Sequence, residues 1–377
     1  MLVTLDWITV RGTSIIYEWH CDDPAAIGAK QIPLVCDFGV DVSGLDSTVL
    51  REPFIGLFWP RVYAAGGTLA LDEPIAFEVF RKWIRALAGT AIMWRGTGTG
   101  SRLAPFESLP ESLVTGDAEA LLFSGGIDSM LAAARRHKAG RATRLVQIHL
   151  YDTDTQSVAL DAVSALTDFE HSVIQTNAYE IFGREGVVPF SNRVMSRDPE
   201  AYRQYSREVA GFLRMATVVY PLLGFMYYGF VLPLAVATGT RRIFMSAGAS
   251  DTVEATWGGA LYGGVWNVHG VEMMVDNLPT RLQNYAEVWR DHPAFAGHVD
   301  TCGYDDGIRC GRCFKCDLES LTLRALGHEP RHEGGAFAPA NPYVGWIASE
   351  IADYAEAHDR ADVAREARAW QKACKYV

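Results

Sequence analysis

The chain opens on a simple alternation. LVTLDWITVRG and TSIIYEWHC, residues 2–12 and 13–21, place apolar side chains at about every second position, the period of a half-buried strand. IGLFWPRVYAA, residues 55–65, is a short apolar run and reads as a third strand. IAFEVFRKWIRALAG, residues 75–89, changes to helical spacing and ends on Gly89, a fitting helix terminus. From Gly96 to Asp117 the chain is rich in Gly, Ser and Pro and reads as a linker. Beyond it, EALLF, RLVQIHLYD, HSVIQTN and RRIFMSAGAS read as strands, while MLAAARRHKAG and TQSVALDAVSALTDF read as helices. A long helical zone precedes the last of these strands. Such alternation predicts an α/β protein with a parallel, doubly wound sheet and helices on both faces. The predicted order is a β-rich N-terminal extension over 1–117, the sheet domain over 118–300, a cysteine-bearing segment over 301–330, and helices over 331–377. In that last part GWIASEIADYAEAHDRADVAREARAWQKACK reads as one long amphipathic helix or a helix pair packed on the sheet.

Met215 to Thr240 carries no charge and is long enough to span a bilayer by the ~20-residue rule. Pro221 and Pro233 divide it, and it lies between parts of one α/β pattern, so a buried helix pair or helix–turn is expected rather than a membrane span. Composition adds bounds. The chain has 377 residues and a formal net charge of -11. That balance argues against a broad nucleic-acid-binding surface. The chain opens without a secretory signal pattern, so a cytoplasmic, reducing setting is expected. Residues 1–117 carry no chemical motif and are a candidate partner-facing segment. A homodimer is compatible with everything read from the chain.

The candidate chemistry starts at Leu121–Met130, LLFSGGIDSM, where two glycines separate a strand from an Ala-rich helix starting near Ser129. Gly125 and Gly126 allow backbone conformations closed to other residues and remove two Cβ atoms. Backbone N–H groups of that turn, including that of Ile127, can converge on an anion, reinforced by the helix N-terminus. Ser124 and Ser129 add hydroxyl donors. Asp128 would repel a phosphate by itself, and makes sense if it helps hold a Mg²⁺ that bridges to phosphate oxygens. The pattern is neither a Walker A loop nor a dinucleotide fingerprint. A second turn, SAGASD, ends a later strand on the same predicted edge, where Gly248 permits close approach and Asp251 reaches substrate or metal.

Of the seven cysteines, four are clustered as Cys302, Cys310, Cys313 and Cys316. Two overlapping C-x-x-C turns bring three sulfurs to one point, and Cys302 supplies a fourth across a short loop. Four thiolates with no open position fit structural Zn²⁺. An iron–sulfur cluster is the alternative for this spacing.

The S-G-G-x-D-S turn between strand and helix resembles the PP-loop of the ATP pyrophosphatase superfamily. With the downstream cysteines it is most similar to the 7-cyano-7-deazaguanine synthase (QueC) family, over residues 117–327. That resemblance implies the adenine nucleotide alpha hydrolase type of sheet. It also implies an ATP-dependent C–N ligase that adenylates a carboxylate, releases pyrophosphate and forms an amide or nitrile with a nitrogen nucleophile. The implied acceptor is 7-carboxy-7-deazaguanine or a related carboxylate. Ser124, Gly125, Gly126, Asp128 and Ser129 match the family loop, with Asp128 and Ser124 the implied catalytic residues; the four cysteines match its zinc ligands. The family holds adenine after the second strand, here from His149 to Gln156, although His149 serves equally well as a core histidine. Alternatives are a relative acting on a peptide or protein acceptor, a PP-loop tRNA-modifying enzyme, and a nucleotide-binding subunit without turnover that works with a partner.

Replacing Cys313 with Ser is expected to lower both bound zinc and melting temperature, because metal binding and folding are coupled in such sites. Zinc content by plasma emission and a melting curve check this. Full zinc and unchanged melting would exclude a structural role.

Overall fold

The computed structural model describes residues 1–73, 75–76, 106–107, 113–114, 116–150, 158–187, 222–247, 267–277, 279–300, 314–331 and 342–374. Its N-terminal strands are β1 (Leu2–Arg11), β2 (Ser14–Cys21), β3 (Leu34–Asp37) and β4 (Thr68–Ala70). Helices α1 (Ser47–Leu50) and α2 (Glu52–Ala64) lie between β3 and β4. A short parallel pair follows, β5 (Ile75–Ala76) with β6 (Phe106–Glu107). Then come β7 (Ala118–Leu122), α3 (Ile127–Lys138), β8 (Thr143–His149), α4 (Val158–Thr167), β9 (Glu170–Thr176) and α5 (Ala178–Val187). Next are α6 (Leu222–Ala237), β10 (Thr240–Ala247), β11 (Asn267–Val268) and β12 (Val271–Asn277). The chain ends with α7 (Arg281–Asp291), α8 (Pro293–Ala296), α9 (Phe314–Leu326), α10 (Pro342–Ala357) and α11 (Ala361–Cys374).

Ten strands form one sheet in the order β11-β12-β10-β7-β8-β9-β3-β2-β1-β4. Its centre, β12-β10-β7-β8-β9, is parallel throughout. The chain runs outward from β7 through β8 to β9, then returns to β10 on the other side of β7. The order therefore reverses at β7, and the carboxyl end of such a strand is where open α/β sheets bind their ligands.

Helices cover both faces of this centre. On one face Leu121, Leu145 and Phe244 pack against α3, α4 and α7 through Met130, Ala133, Leu160, Val163, Tyr285 and Val288. On the other, Ala120, Val146 and Ile243 pack with α2, α5 and α6 through Phe58, Ile181, Phe230 and Leu234. α9, α10 and α11 share a third cluster through Leu321, Ile347, Ile351 and Trp370. The expectation of an α/β protein with a mostly parallel sheet is met.

The N-terminal extension contributes to this same sheet. β3 runs antiparallel to β9, with Cys36 opposite Thr176 and Asp37 opposite Gln175. Asn177 secures the junction, accepting from Val35 N at 2.8 Å and donating to Pro33 O at 2.9 Å. Residues 55–65 correct the strand expected there, since they lie almost wholly within helix α2. Ile55, Leu57, Phe58, Trp59 and Val62 are all fully buried. A helix that is apolar all round leaves no periodic signal, so a short buried helix and a buried strand look alike in sequence. The helix expected over 75–89 begins differently, because Ile75–Ala76 is strand; its remaining residues lie outside those described. The C-terminal amphipathic stretch is a helix pair, turning at His358–Arg360 between α10 and α11.

Of the uncharged run that raised the membrane question, Leu222–Ala237 forms α6, which packs on β10 and against α2, while residues 215–221 lie outside those described. Among the described residues no helix is long and apolar enough to cross a membrane. Two glycines set its distance from α2. A Cβ on Gly229 would stand 2.6 Å from Glu52 O and 3.0 Å from Gly56 Cα. Both obstacles are backbone and cannot rotate away. Gly229→Ala is therefore expected to force the two helices apart and cost about 1–3 kcal/mol, read as a lower denaturation midpoint. An unchanged midpoint would show that this interface is not close-packed.

Candidate functional site

β7 ends at Leu122, and Phe123 N continues its pairing by donating to Val146 O at 2.8 Å. The chain then turns through Ser124, Gly125 and Gly126 into α3. Gly125 takes φ 75°, the left-handed region that glycine enters without strain. Gly126 is the extended N-cap residue of α3, and a Cβ there would meet Ser124 Oγ at 3.3 Å. The helix starts at Ile127, slightly earlier than expected, so Asp128 and Ser129 both lie in its first turn. N–H groups of a first turn have no partner within their own helix. A carboxylate there is favoured by the helix dipole.

The turn is held from within. Ser124 N donates to Ser129 Oγ at 3.3 Å, and Ser129 Oγ donates to Gly126 O at 3.1 Å. Ser124 Oγ stands 3.2 Å from Ser129 Oγ and accepts from Gly126 N at 3.3 Å. Both hydroxyls support the turn, but Ser129 is buried while Ser124 is exposed, so Ser124 is the one also open to solvent. These bonds are long, and an arriving anion can compete with them for N–H groups.

Two further elements brace the turn from outside. Asp300 N donates to Gly125 O at 2.8 Å. The stretch before Asp300 is pinned by Arg331, which donates to Val299 O at 3.1 Å and to Ala296 O and lies over the Trp289 ring. The second brace is α7. Thr280 and Gln283 close a capping box at its start, and Asn284 Nδ2 donates to Asp128 Oδ1 at 2.6 Å. α7 is also tied to α3 by Arg135, whose guanidinium donates to both carboxylate oxygens of Glu287 at 2.7 and 2.6 Å. Beside it, burial pushes the Tyr285 hydroxyl well above its ordinary pKa, with the charge of Glu319 adding to the rise.

Three buried polar atoms flank the turn without a hydrogen-bond partner among the described residues: Gln147 Oε1, His149 Nδ1 and Ser246 Oγ. Side chains alternate along a strand. Gln147 and His149 follow Leu145 at intervals of two, and Ser246 follows Phe244, so all three lie on the face that carries α3. Burial lowers the His149 pKa, which favours a neutral ring. Buried polar atoms left unpaired beside such a turn are what a ligand would satisfy.

The sequence reading brought together Ser124, Gly125, Gly126, Ile127, Asp128 and Ser129, and they do form one turn. Gly248 and Asp251 lie outside the described residues, as do Cys302, Cys310 and Cys313. Cys316 is described; it lies in the first turn of α9 and is fully buried. Among the described residues no group of three or more His, Cys, Asp or Glu is placed to hold a metal ion, and three of the four clustered cysteines are not among those residues. Sequence reasoning missed Gln147 as a polar residue beside the turn and Asn284 as the support of Asp128, and it named Ser246 only as the start of the SAGASD turn. Their signal is weak, a polar residue where the helical or strand period calls for an apolar one.

The chain is thus an α/β protein whose mostly parallel sheet carries a glycine turn at its point of reversal. Compared with models of known protein families and with curated proteins, it finds a match in neither.

The α3–α7 pair titrates with a definite sign. Hydrogen bonds from Arg135 hold the Glu287 pKa below its ordinary value. A depressed carboxylate contributes stability above its unfolded pKa and loses it as pH falls through the folded one. Arg135 and Glu287 are 39% and 22% exposed, which limits the pair to below about 1 kcal/mol. Arg135→Gln is expected to lower the urea midpoint at pH 7, with the deficit shrinking as pH falls below the ordinary carboxylate range. A deficit that does not change with pH would rule out the ion pair as its cause.

Proposed function

We propose that the chain is an ATP-dependent ligase of the PP-loop kind, nearest in motif to the 7-cyano-7-deazaguanine synthases. One observation carries this reading: the Ser124–Ser129 turn lies at the carboxyl end of β7, where strand order reverses, with α3 starting directly behind it. Anions bind at helix N-termini fed by glycine turns, and open α/β sheets bind ligands at such reversals.

The residues fit a triphosphate. Gly125 and Gly126 leave room where Cβ atoms would stand, and the N–H groups of Gly126 and the first turn of α3 face the β,γ-phosphates. Ser124 adds an exposed hydroxyl. Asp128 would hold Mg²⁺, which neutralises charge on the departing pyrophosphate. An acceptor carboxylate oxygen attacks the α-phosphorus, an O–P bond forms, and the bond to the β-phosphate oxygen breaks. A nitrogen nucleophile then adds to the activated carbonyl, and AMP leaves with the oxygen. The fixed N–H donors need no reorganisation as charge builds on the leaving group. Gln147, His149 and Ser246 offer buried polar atoms to the rest of the nucleotide or to the acceptor. The acceptor is 7-carboxy-7-deazaguanine or a related carboxylate, on a small molecule or a peptide.

Cys302, Cys310, Cys313 and Cys316 would hold Zn²⁺ as a closed structural site. Cys316 supports this by its burial in the first turn of α9, where thiolate charge meets the helix dipole. That zinc would be structural, with no part in the transfer.

Incubation with ATP, Mg²⁺ and 7-carboxy-7-deazaguanine, with and without ammonium, tests the reading. Pyrophosphate release and amide or nitrile product by mass spectrometry are expected. Asp128→Ala should cut pyrophosphate release by about 100-fold or more, with a lower melting temperature because the buried Asn284 amide loses its partner but with a cooperative transition retained. Turnover by that variant at the wild-type rate would remove Asp128 from the site, and a wild-type chain that binds no ATP would end the reading altogether.

A further inference from the structure

Asn284 is a fully buried polar side chain that touches the turn, and phosphate binding does not itself explain it. It lies on α7, far along the chain from α3, yet its Nδ2 donates to Asp128 Oδ1 at 2.6 Å. A neutral amide facing a carboxylate can only donate, so its own carbonyl must turn away. That Oδ1 is buried and has no hydrogen-bond partner among the described residues. An unpaired buried acceptor costs stability, so this amide is a poor choice for packing alone. α7 is in turn held rigidly, by the Thr280–Gln283 capping box and by the double bond from Arg135 to Glu287.

We propose that Asn284 is the positioning residue for Asp128: it fixes the rotation of the carboxylate on α3 so that it meets a nucleotide-bound divalent cation without reorganising. This rests on the ATP reading of the turn. An Asp has two rotatable bonds, and a half-buried one at a helix start can turn among several neighbours. The short bond to Asn284 selects one orientation before ligand arrives. Asn284 acts through Asp128 and touches no reacting atom. The contribution appears in how much Mg²⁺ strengthens nucleotide binding, and not in nucleotide binding without metal.

The test uses the full chain and measures ATP binding by calorimetry with and without Mg²⁺, beside melting of the ligand-free protein. Asn284→Ala is expected to bind metal-free ATP like the wild type and to lose about tenfold of the gain that Mg²⁺ brings. The exchange variant Asp128→Asn with Asn284→Asp keeps an amide–carboxylate bond between the helices. It should melt near the wild type, and above Asn284→Asp alone, which sets two carboxylates against each other. Because its carboxylate has moved to α7, the exchange variant should lose the Mg²⁺ gain despite its intact fold. A full Mg²⁺ gain in Asn284→Ala, or in the exchange variant, overturns the positioning role. Lower melting with an unchanged Mg²⁺ gain identifies Asn284 as purely structural and also overturns it. A wild-type chain that binds no ATP under either condition overturns the nucleotide reading, and this inference with it; ATP binding by the wild type with an unaffected Asn284→Ala overturns the inference alone.

Discussion

The left-handed backbone at Gly125 is the constraint on which the candidate site rests. β7 is the central strand of the parallel set, and its chain must leave the sheet and enter α3 within a few residues. At φ 75° that reversal is free of strain only for glycine. Once made, it starts α3 at Ile127 directly after the carboxyl end of β7. It also presents Gly125 O to Asp300 N and sets Asp128 against Asn284. The sheet beneath supplies the rigidity, because Leu121, Phe123 and Ile127 are buried among the helices of that face. A turn with a side chain at this point would have to open, and each of those contacts would shift with it.

The braces on the turn come from distant parts of the chain. Asn284 arrives on α7, and Arg331 arrives after α9 to hold the stretch that ends at Asp300. Few of these contacts are strong alone. Long serine bonds in the turn, a shared guanidinium and a capping box each contribute a little. Together they leave the turn few alternatives, and preorganisation of that kind is what a phosphate site needs.

Much of this was legible in the sequence where local chemistry decides the outcome. The alternation of strands and helices after residue 117 foretold the parallel sheet, because each strand there is bounded by glycine or polar turns. The glycine turn was legible because its residue types leave few other uses. Helix α2 was not, since Ile55 to Val62 are buried on every side and show no face. The joining of β3 to β9 was hidden too. It depends on two residue pairs separated by about 140 positions, and no local pattern encodes a partner that far away. Asn284 was illegible for a related reason. Its helix displays a good apolar stripe through Leu282, Tyr285 and Val288, and only the approach of α3 reveals why one position is an amide.

The shared layer between α2 and α6 bears on how this chain is built as a unit. α2 comes from the first hundred residues and α6 from the middle of the sheet domain, yet they meet backbone to backbone at Gly56 and Gly229. A buried pair between Glu52 and His269, 2.9 Å apart, reaches from α2 to the turn between β11 and β12. Excising the N-terminal strands would strip α2 from an uncharged helix and leave a buried imidazole facing water. The two halves therefore stand or fall cooperatively, and a partner gripping the N-terminal strands would pull on the same layer that backs the β7 turn.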